Sequence, residues 1–237
     1  MGEGMANDEA IMPFISSANI ACGYHAGDES TIKKTMELAL QHNVAIGAHP
    51  GFADKENFGR LEIFLSQPEL YDLVVKQVHL VKNICSLFNT KLHHVKPHGA
   101  LYNMAAKDKA LAATIAKAVK DVDDTLVLYG LHKSCMLATA AEIQVKTASE
   151  VFADRRYNNN GSLVSRALPG ALIETEEDAL GQVLQMVLHN TVTAINGENI
   201  PVLAQTICIH GDSKNAGGFS RKIYEALQQH NIIIQTI

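Results

Sequence analysis

Four histidines follow four separate apolar runs of the chain, each in a short turn-like motif that contains glycine. They are His25, His49, His98 and His210. Imidazole rings can bind a metal ion or transfer protons near neutral pH, and α/β barrels place such side chains where their parallel strands end. We therefore expect the four rings to share one pocket. Their spacing does not decide whether they are metal ligands or acid–base groups.

Acidic residues stand close to two of these histidines. Asp28 follows His25 by three residues, and Asp212 follows His210 by two. A carboxylate there could accept the N–H of the imidazole and fix its tautomer. It could instead cap the helix that the pattern predicts next. We favour capping for Asp28, whereas the sequence leaves both roles open for Asp212.

A charged cluster follows another apolar run. Glu150 ends the run, and Asp154, Arg155 and Arg156 come within the next six residues. Such a density of charge does not suit a core. An arginine there could bind a carboxylate or phosphate through two hydrogen bonds, or the charges could form salt bridges that hold the loop. The loop over residues 154–170 is predicted to cover one rim and to be functional.

Lys96 lies two residues before His98, so strand alternation places both side chains on the same face. A lysine beside a histidine at the mouth of a barrel indicates anion binding or an electrophilic role. Other histidines fall on predicted helices, helix ends or the opposite strand face, and we expect them to be structural or solvated. They are His42, His79, His93, His132, His189 and His230.

The elements around these residues alternate between short apolar runs and longer helical patterns. The predicted strands are residues 18–22, 44–48, 92–96, 125–129, 144–148, 205–209 and 232–237. The predicted helices are residues 29–42, 67–88, 108–120, 132–141, 175–190 and 213–230. Such alternation predicts parallel strands joined by helical crossovers. The number of strands favours a barrel over an open sheet, in one domain over residues 1–237.

Composition excludes several classes of function. The chain has 237 residues, 47% of them apolar, and a net charge of −5 without a basic stripe, which argues against nucleic acid as a partner. It contains no apolar run long enough to span a membrane and no N-terminal signal or transit peptide, so the cytoplasm is expected. The four cysteines form no CxxC pair. Neither a Rossmann nor a P-loop glycine motif is present.

Six motifs, in this order along the chain, resemble those of the LamB/YcsF family. They read SANIACGYHAGD (residues 17–28), GAHPG (47–51), FGR (58–60), VKPHGALYN (95–103), EVFADRRY (150–157) and CIHGD (208–212). The resemblance covers nearly the whole chain. It implies a seven-stranded β/α barrel of the glycoside hydrolase and polysaccharide deacetylase type. It also implies a 5-oxoprolinase activity, in which 5-oxo-L-proline is opened to L-glutamate with hydrolysis of ATP, and two partner subunits, B and C.

The beginning of the chain departs from the family pattern. Family members usually open with a strand that reads roughly Asp-Leu-Asn-x-Asp before Gly-Glu, whereas this chain starts at Met1 and keeps only Glu3 of that motif. We therefore expect the barrel to lack its first strand, through a late-assigned start or trimming. Deacetylase-like barrels place an aspartate there as a metal ligand beside two histidines. Two open sheet edges would favour pairing with another chain, including a homo-oligomer.

The resemblance gives each candidate residue a role. ATP, with Mg²⁺, would phosphorylate the lactam oxygen, and water attack would then open the ring. Lys96 and Arg155 would neutralise the developing charge, and His98 or His210 would act as base. The expected catalytic residues are His98, His210, Lys96, Glu150 and Asp154, and the expected substrate-binding residues are Asn19, His25, His49, Arg155 and Asp212.

Two other hypotheses remain open at this point. A metal-dependent amidase or deacetylase would need no ATP and would use His25 and His49 as ligands, or His98. A non-catalytic subunit would only present a small-molecule substrate to its partners, and the absence of a nucleotide-binding motif is consistent with that hypothesis.

Overall fold

The computed structural model describes residues 1–211 and 215–237, which contain eight strands. The strands are β1 (Ser17–Ala21), β2 (Ala45–His49), β3 (His94–Val95), β4 (Val127–Leu131), β5 (Lys146–Phe152), β6 (Thr191–Thr193), β7 (Asn199–Pro201) and β8 (Thr206–Cys208). Six of them form one parallel sheet in the order β1-β2-β3-β4-β5-β8. The other two, β6 and β7, pair as an antiparallel hairpin.

Helices connect the parallel strands. They are α1 (Asp8–Ile11), α2 (Glu29–Gln41), α3 (Gln67–Leu87), α4 (Gly99–Lys107), α5 (Lys109–Val122), α6 (Cys135–Glu142), α7 (Glu176–His189) and α8 (Ala216–Gln229), with a 3₁₀ helix at Met12–Phe14. Side-chain caps fix several of their starts. Asp28 accepts from the Thr31 N–H at the start of α2, which confirms the preferred role of that residue. Ser66 and Glu69 form a capping box before α3.

The sheet is curled. Lys96, directly after β3, reaches Glu150 in β5 and Cys208 in β8 with its ammonium group, at 2.8 and 3.0 Å. In a flat sheet β3 and β8 would be separated by three strand spacings, roughly 14 Å, which is farther than a lysine side chain reaches. Curling therefore brings the carboxyl ends of distant strands around one central space. Where the sequence predicts a barrel, the structure has a half-barrel, a curled sheet of six parallel strands.

The outer edge of β1 is partly covered by the first residue of the chain. The carbonyl of Met1 accepts from the Ala21 N–H at 2.9 Å, and its ammonium group donates to the Asn19 carbonyl at 2.9 Å. This is the hydrogen-bond pattern of a parallel neighbour. Among the described residues, those before Ser17 form no strand, and β1 does not pair with β8.

The helices pack their apolar sides on the outside of the sheet in one continuous core. Fully buried side chains such as Ile32 of α2, Val74 of α3 and Ile115 of α5 belong to the same core cluster as the strand residues Ile20 and Ile46. Each such side chain contributes about 1.5–3 kcal/mol on burial. Within the described part of the chain, no helix is both long and apolar enough to cross a membrane.

The C-terminal strand predicted at residues 232–237 is wrong. The segment is extended and its exposure alternates, but it pairs with no strand. The Thr236 hydroxyl donates to the Ser16 carbonyl, and the His93 ring bonds to the Ile237 carbonyl at 2.9 Å. The segment therefore crosses the amino ends of β1 and β3. There it makes single hydrogen bonds to Ser16 and His93 rather than the backbone ladder of a strand pair.

The pattern also failed to predict two features. Helix α4 follows β3 after a three-residue turn. The β6–β7 hairpin comes between α7 and β8. In addition, β5 extends to Phe152, so Glu150 lies within the strand rather than after it.

Candidate active site

The carboxyl ends of the strands border a cavity of about 940 Å³. Its lining includes seven of the residues that the sequence predicts for the site. They are Asn19, His49, Lys96, His98, Glu150, Arg155 and His210. His25 and Asp154 stand directly behind this lining, in contact with His98 and His210 respectively. Asp212 lies outside the described residues.

Three of the four predicted histidines form a cluster of rings. His25 and His98 stack face to face with their centroids 3.8 Å apart, and His49 stands edge-on to both, at 5.7 and 4.9 Å. They come from the ends of β1, β2 and β3, which are neighbours in the sheet. The fourth, His210, lines the same cavity but has other partners.

Burial keeps two rings of the cluster, His49 and His98, neutral. It lowers the pKa of His49 well below the ordinary value, and it lowers that of His98 to about 2. The Nδ1 of His49 lies 2.6 Å from the Lys96 carbonyl. A carbonyl only accepts, so Nδ1 carries the proton and Nε2 keeps its lone pair. Neither ring nitrogen of His25, nor Nδ1 of His98, has a hydrogen-bond partner within the described chain.

Glu3 completes a group of three possible metal ligands. Ligand atoms of Glu3, His49 and His98 all lie within 4.8 Å of one another. Burial would raise the pKa of Glu3, but the N-terminal ammonium group and His25, 3.7 Å away, lower it to about 2. A carboxylate and two neutral imidazoles suit zinc or a similar divalent ion. The sequence hypothesis named His25 and His49, whereas His25 is stacked behind His98 and is not in this group.

A buried ion pair lies deeper in the cavity. The Lys96 ammonium lies 2.8 Å from Glu150 Oε1, 3.0 Å from the Cys208 sulfur, and above the rings of Phe152 and Tyr102 at 5.0 and 5.7 Å. The second carboxylate oxygen of Glu150 and the Tyr102 hydroxyl have no hydrogen-bond partner in the described structure. Burial and the neighbouring Glu150 carboxylate raise the pKa of Tyr102 well above its ordinary value, so the hydroxyl keeps its proton beside Glu150.

The protonation of this pair follows from its neighbours. Burial would lower the pKa of Lys96, but Cys208 and Glu150 raise it above its ordinary value, so the ammonium stays charged. Burial raises the pKa of Cys208 to about 12. The sulfur is consequently a neutral thiol at neutral pH, and the counter-charge of the lysine is Glu150.

His210 is held by two charged side chains. Its Nδ1 lies 2.8 Å from both carboxylate oxygens of Asp154, and its Nε2 lies 3.1 Å from Arg166 Nη2. Because the guanidinium only donates, Nε2 accepts and the proton sits on Nδ1. Burial would raise the pKa of Asp154, but its bond to His210 lowers it. The lone pair of His210 is thus occupied, whereas Nδ1 of His98 has no partner in the described chain.

Asn19 faces the cavity but its side-chain oxygen is engaged. Asn19 Oδ1 accepts from His94 Nε2 at 3.0 Å, and the His94 ring stacks on Tyr129 with centroids 4.2 Å apart. His94 is missing from our sequence assignment. The strand alternation that pairs Lys96 with His98 also includes position 94, and it would have placed His94 on the inner face.

Arg166 and Tyr102 are two further cavity residues that the sequence did not indicate. Arg166 lies in the long loop, where periodicity gives no direction for a side chain. Tyr102 belongs to the unpredicted helix α4 and stands one turn after His98. The one-turn spacing between His98 and Tyr102 was the signal in the sequence that could have identified Tyr102.

Comparison with known proteins places the chain among similar sequences over its full length. The model of the LamB/YcsF family matches residues 1–237. The A subunit of 5-oxoprolinase from Tolumonas auensis is 51% identical over 233 residues, 98% of this chain and 93% of that protein. The protein of the same name from Staphylococcus aureus is 47% identical over 242 residues, 100% and 97% of the two chains.

A solved structure has the same fold. The lactam utilization protein from Thermus thermophilus superposes with a TM-score of 0.94 at 38% sequence identity. The superposition covers 100% of this chain and 97% of that one. The curled parallel sheet and its surrounding helices are therefore shared with a protein of known structure.

Proposed function

Because the chain belongs to the LamB/YcsF family, we propose that it is an enzyme that hydrolyses the cyclic amide of 5-oxo-L-proline to L-glutamate. The relatives that carry the 5-oxoprolinase name, near 50% identity over almost the whole chain, support this proposal. The observation in the site that carries it is a neutral, buried His98 that faces the same cavity as the charged Lys96.

A lactam is a poor electrophile, so its carbonyl must be activated. ATP, with Mg²⁺, would supply a phosphoryl group for this activation. Lys96, Arg155 and Arg166 are cations at the cavity that fit an anionic phosphoryl oxygen. We propose that Lys96 neutralises the negative charge that develops on the lactam oxygen. Glu150 holds Lys96 in place and, through its second carboxylate oxygen, orients the lactam or the water.

His98 is the base in this proposal. Its Nδ1 is buried against Gly59, whereas its Nε2 is not buried and makes no hydrogen bond in the described chain. Nε2 of His210, by contrast, accepts from Arg166. His98 therefore takes the proton of the attacking water, and Asp154 with His210 serves to position Arg166. Asn19 and His49 line the wall against which the substrate rests, and His25 supports that wall from behind through its stack on His98.

Replacement of His98 tests this assignment. General-base catalysis contributes roughly 10²–10⁴-fold, so His98→Ala should reduce ATP-coupled glutamate formation by that factor in an assay with the partner subunits. His79→Ala, on the exposed side of α3, is the control and should keep full activity. Wild-type turnover by His98→Ala would remove His98 from the mechanism.

The relatives are named as one subunit of 5-oxoprolinase, which indicates that this chain acts within a larger complex. We propose two partner subunits, B and C, and an association through the open edges of β1 and β8 that also permits a homo-oligomer. The need for ATP makes the cytoplasm the proposed compartment. We further propose that the six-stranded curled sheet derives from the seven-stranded barrel of the glycoside hydrolase and deacetylase type, since Met1 pairs with β1 where a further parallel strand would lie.

One observation favours a second function, a metal-dependent amidase. Glu3, His49 and His98 offer a carboxylate and two neutral imidazoles within 4.8 Å of one another. A bound divalent ion would polarise the amide carbonyl without ATP. Purified protein should then contain zinc or manganese near one equivalent, and His49→Ala should lose it while His79→Ala keeps it. Metal-free protein that cleaves the lactam only with ATP would rule this function out.

A further inference from the structure

The first residues of the loop after β5 are held in place by hydrogen bonds. Ile173 N–H donates to the Asp154 carbonyl at 3.0 Å, which folds the loop back on itself. The side-chain amide of Gln182, in α7, donates to the carbonyls of Phe152, Ala153 and Arg155 at 2.9, 3.2 and 3.0 Å. The backbone that carries Arg155 is therefore fixed before any ligand arrives.

Arg155 is a buried cation without an ion-pair partner. Only 4% of the residue is exposed, and its Nη2 donates to the Val164 carbonyl at 2.6 Å. Its Nε has no hydrogen-bond partner, and no acidic side chain in residues 1–211 or 215–237 forms an ion pair with it. Burial lowers the pKa of Arg155 to about 10, so it stays charged at neutral pH. A buried charge without compensation is costly.

A second guanidinium faces the same cavity. Arg166 is exposed, and its Nη2 contacts Nε2 of His210 at 3.1 Å. Asp154 is the acid close to both arginines, but both of its oxygens lie 2.8 Å from Nδ1 of His210. The charge of Arg166 contributes to the lowered pKa of Arg155, as expected for like charges that lack a common anion.

We propose that Arg155 and Arg166 form an oxyanion subsite that binds the carboxylate of the lactam substrate. This inference rests on the proposed function, whose substrate carries a carboxylate beside its lactam ring. Cys208 links the two regions, since it contacts Lys96 and lies within electrostatic range of Arg155. In the proposed subsite, one small molecule presents its carbonyl to Lys96 and its carboxylate to Arg155. A phosphoryl group of ATP carries the same oxyanion chemistry, so the test separates the two sources.

The test is calorimetric binding to the full-length chain with three probes. They are 5-oxo-L-proline, 2-pyrrolidinone, which is the same ring without the carboxylate, and inorganic phosphate. Loss of a charge-assisted hydrogen bond costs roughly 10–100-fold in affinity. Arg155→Gln should weaken 5-oxo-L-proline binding by about that factor and leave 2-pyrrolidinone binding unchanged. Arg166→Gln should act in the same direction with a smaller loss.

Arg156→Gln is the matched control, because the neighbouring arginine does not line the cavity. Its binding should equal that of the wild type. Arg166 is exposed, so its variant folds even if Arg155→Gln does not, and thermal melts identify any unfolded variant. Unchanged 5-oxo-L-proline affinity in the folded arginine variants would overturn the subsite, as would a wild-type chain that does not prefer 5-oxo-L-proline to 2-pyrrolidinone. Loss of phosphate binding alone would overturn the assignment to the carboxylate.

Turnover separates this inference from the proposed function. If the wild type binds 5-oxo-L-proline through Arg155 but the reconstituted complex forms no glutamate, the subsite stands and the proposed function fails. If the complex forms glutamate and both folded arginine variants keep the wild-type KM, the proposed function stands and the subsite fails.

Discussion

Burial sets the protonation of individual side chains in this cavity. His49 and His98 are held in the unprotonated form at neutral pH, because an imidazolium there would be desolvated beside other cations. Lys96 keeps its proton because Glu150 is paired with it. The cavity therefore combines neutral rings, which can accept a proton, with a fixed positive charge.

The neutral histidines predict a loss of stability in mild acid. In the unfolded chain they take up protons near pH 6.5, whereas in the native protein the pKa of His98 is about 2. These histidines therefore do not lower the free energy of unfolding above about pH 6.5. Below that pH each of them lowers it by about 1.4 kcal/mol per pH unit. Urea unfolding at about pH 7 and pH 5.5 should show this loss. His98→Gln should show a smaller one, and an equal loss in both proteins would contradict the assignment.

The Lys96–Glu150 pair predicts a strong asymmetry between single and double variants. Lys96→Met leaves Glu150 buried without a counter-charge, which should cost about 3–5 kcal/mol of unfolding free energy. Replacement of both by apolar residues, Lys96→Met with Glu150→Leu, should recover most of that loss. Denaturant titration of the three proteins measures it. A double variant as unstable as the single would show that the ion pair itself stabilises the fold.

Residue types and their spacing predicted most of the side chains that line the site. Lys96 and His98 share a face as alternation required, and Glu150 and Arg155 line the same cavity. The sequence could not show that His210 is bonded to Arg166, because the two are 44 residues apart and meet only through the loop. Their contact is a property of the tertiary structure.

Among the secondary-structure elements, capping residues and periodicity predicted the helices better than the strands. Ser66 begins α3 and Asp28 begins α2 as their sequences indicate. The apolar segment at residues 232–237 has strand propensity but pairs with no strand in the described structure. A strand requires a neighbour with free backbone groups, and that requirement cannot be read from one segment alone.

Close packing between β2 and β3 predicts a sensitive glycine. A Cβ added to Gly47 would lie 2.0 Å from His94 Nε2, so Gly47→Ala must displace a buried ring and should cost about 1–3 kcal/mol or more. Gly181, inside α7, has no atom within 4 Å of such a Cβ. Gly181→Ala is the control and should raise stability by up to about 1 kcal/mol. Thermal or urea unfolding of both compares them, and a tolerated Gly47→Ala would contradict the packing described for His94.

The whole molecule is built on a curled parallel sheet, and the candidate catalytic residues lie at the carboxyl ends of its strands. Regular alternation of strands and helices predicted parallel strands and crossovers, and the six-stranded sheet confirms them. The alternation could not predict how far the sheet closes, because closure depends on strand tilt and stagger rather than on periodicity. The edges at β1 and β8 follow from that geometry.

The measurement that tests the central proposal most directly is glutamate formation from 5-oxo-L-proline by this chain, with and without ATP and with and without the two partner subunits. Glutamate and ADP should appear in equal amounts when ATP and all three chains are present, and should fall to background when this chain is omitted. Equal glutamate formation without ATP would contradict the ATP-dependent reaction. Full activity of the partners without this chain would contradict its role as an enzyme.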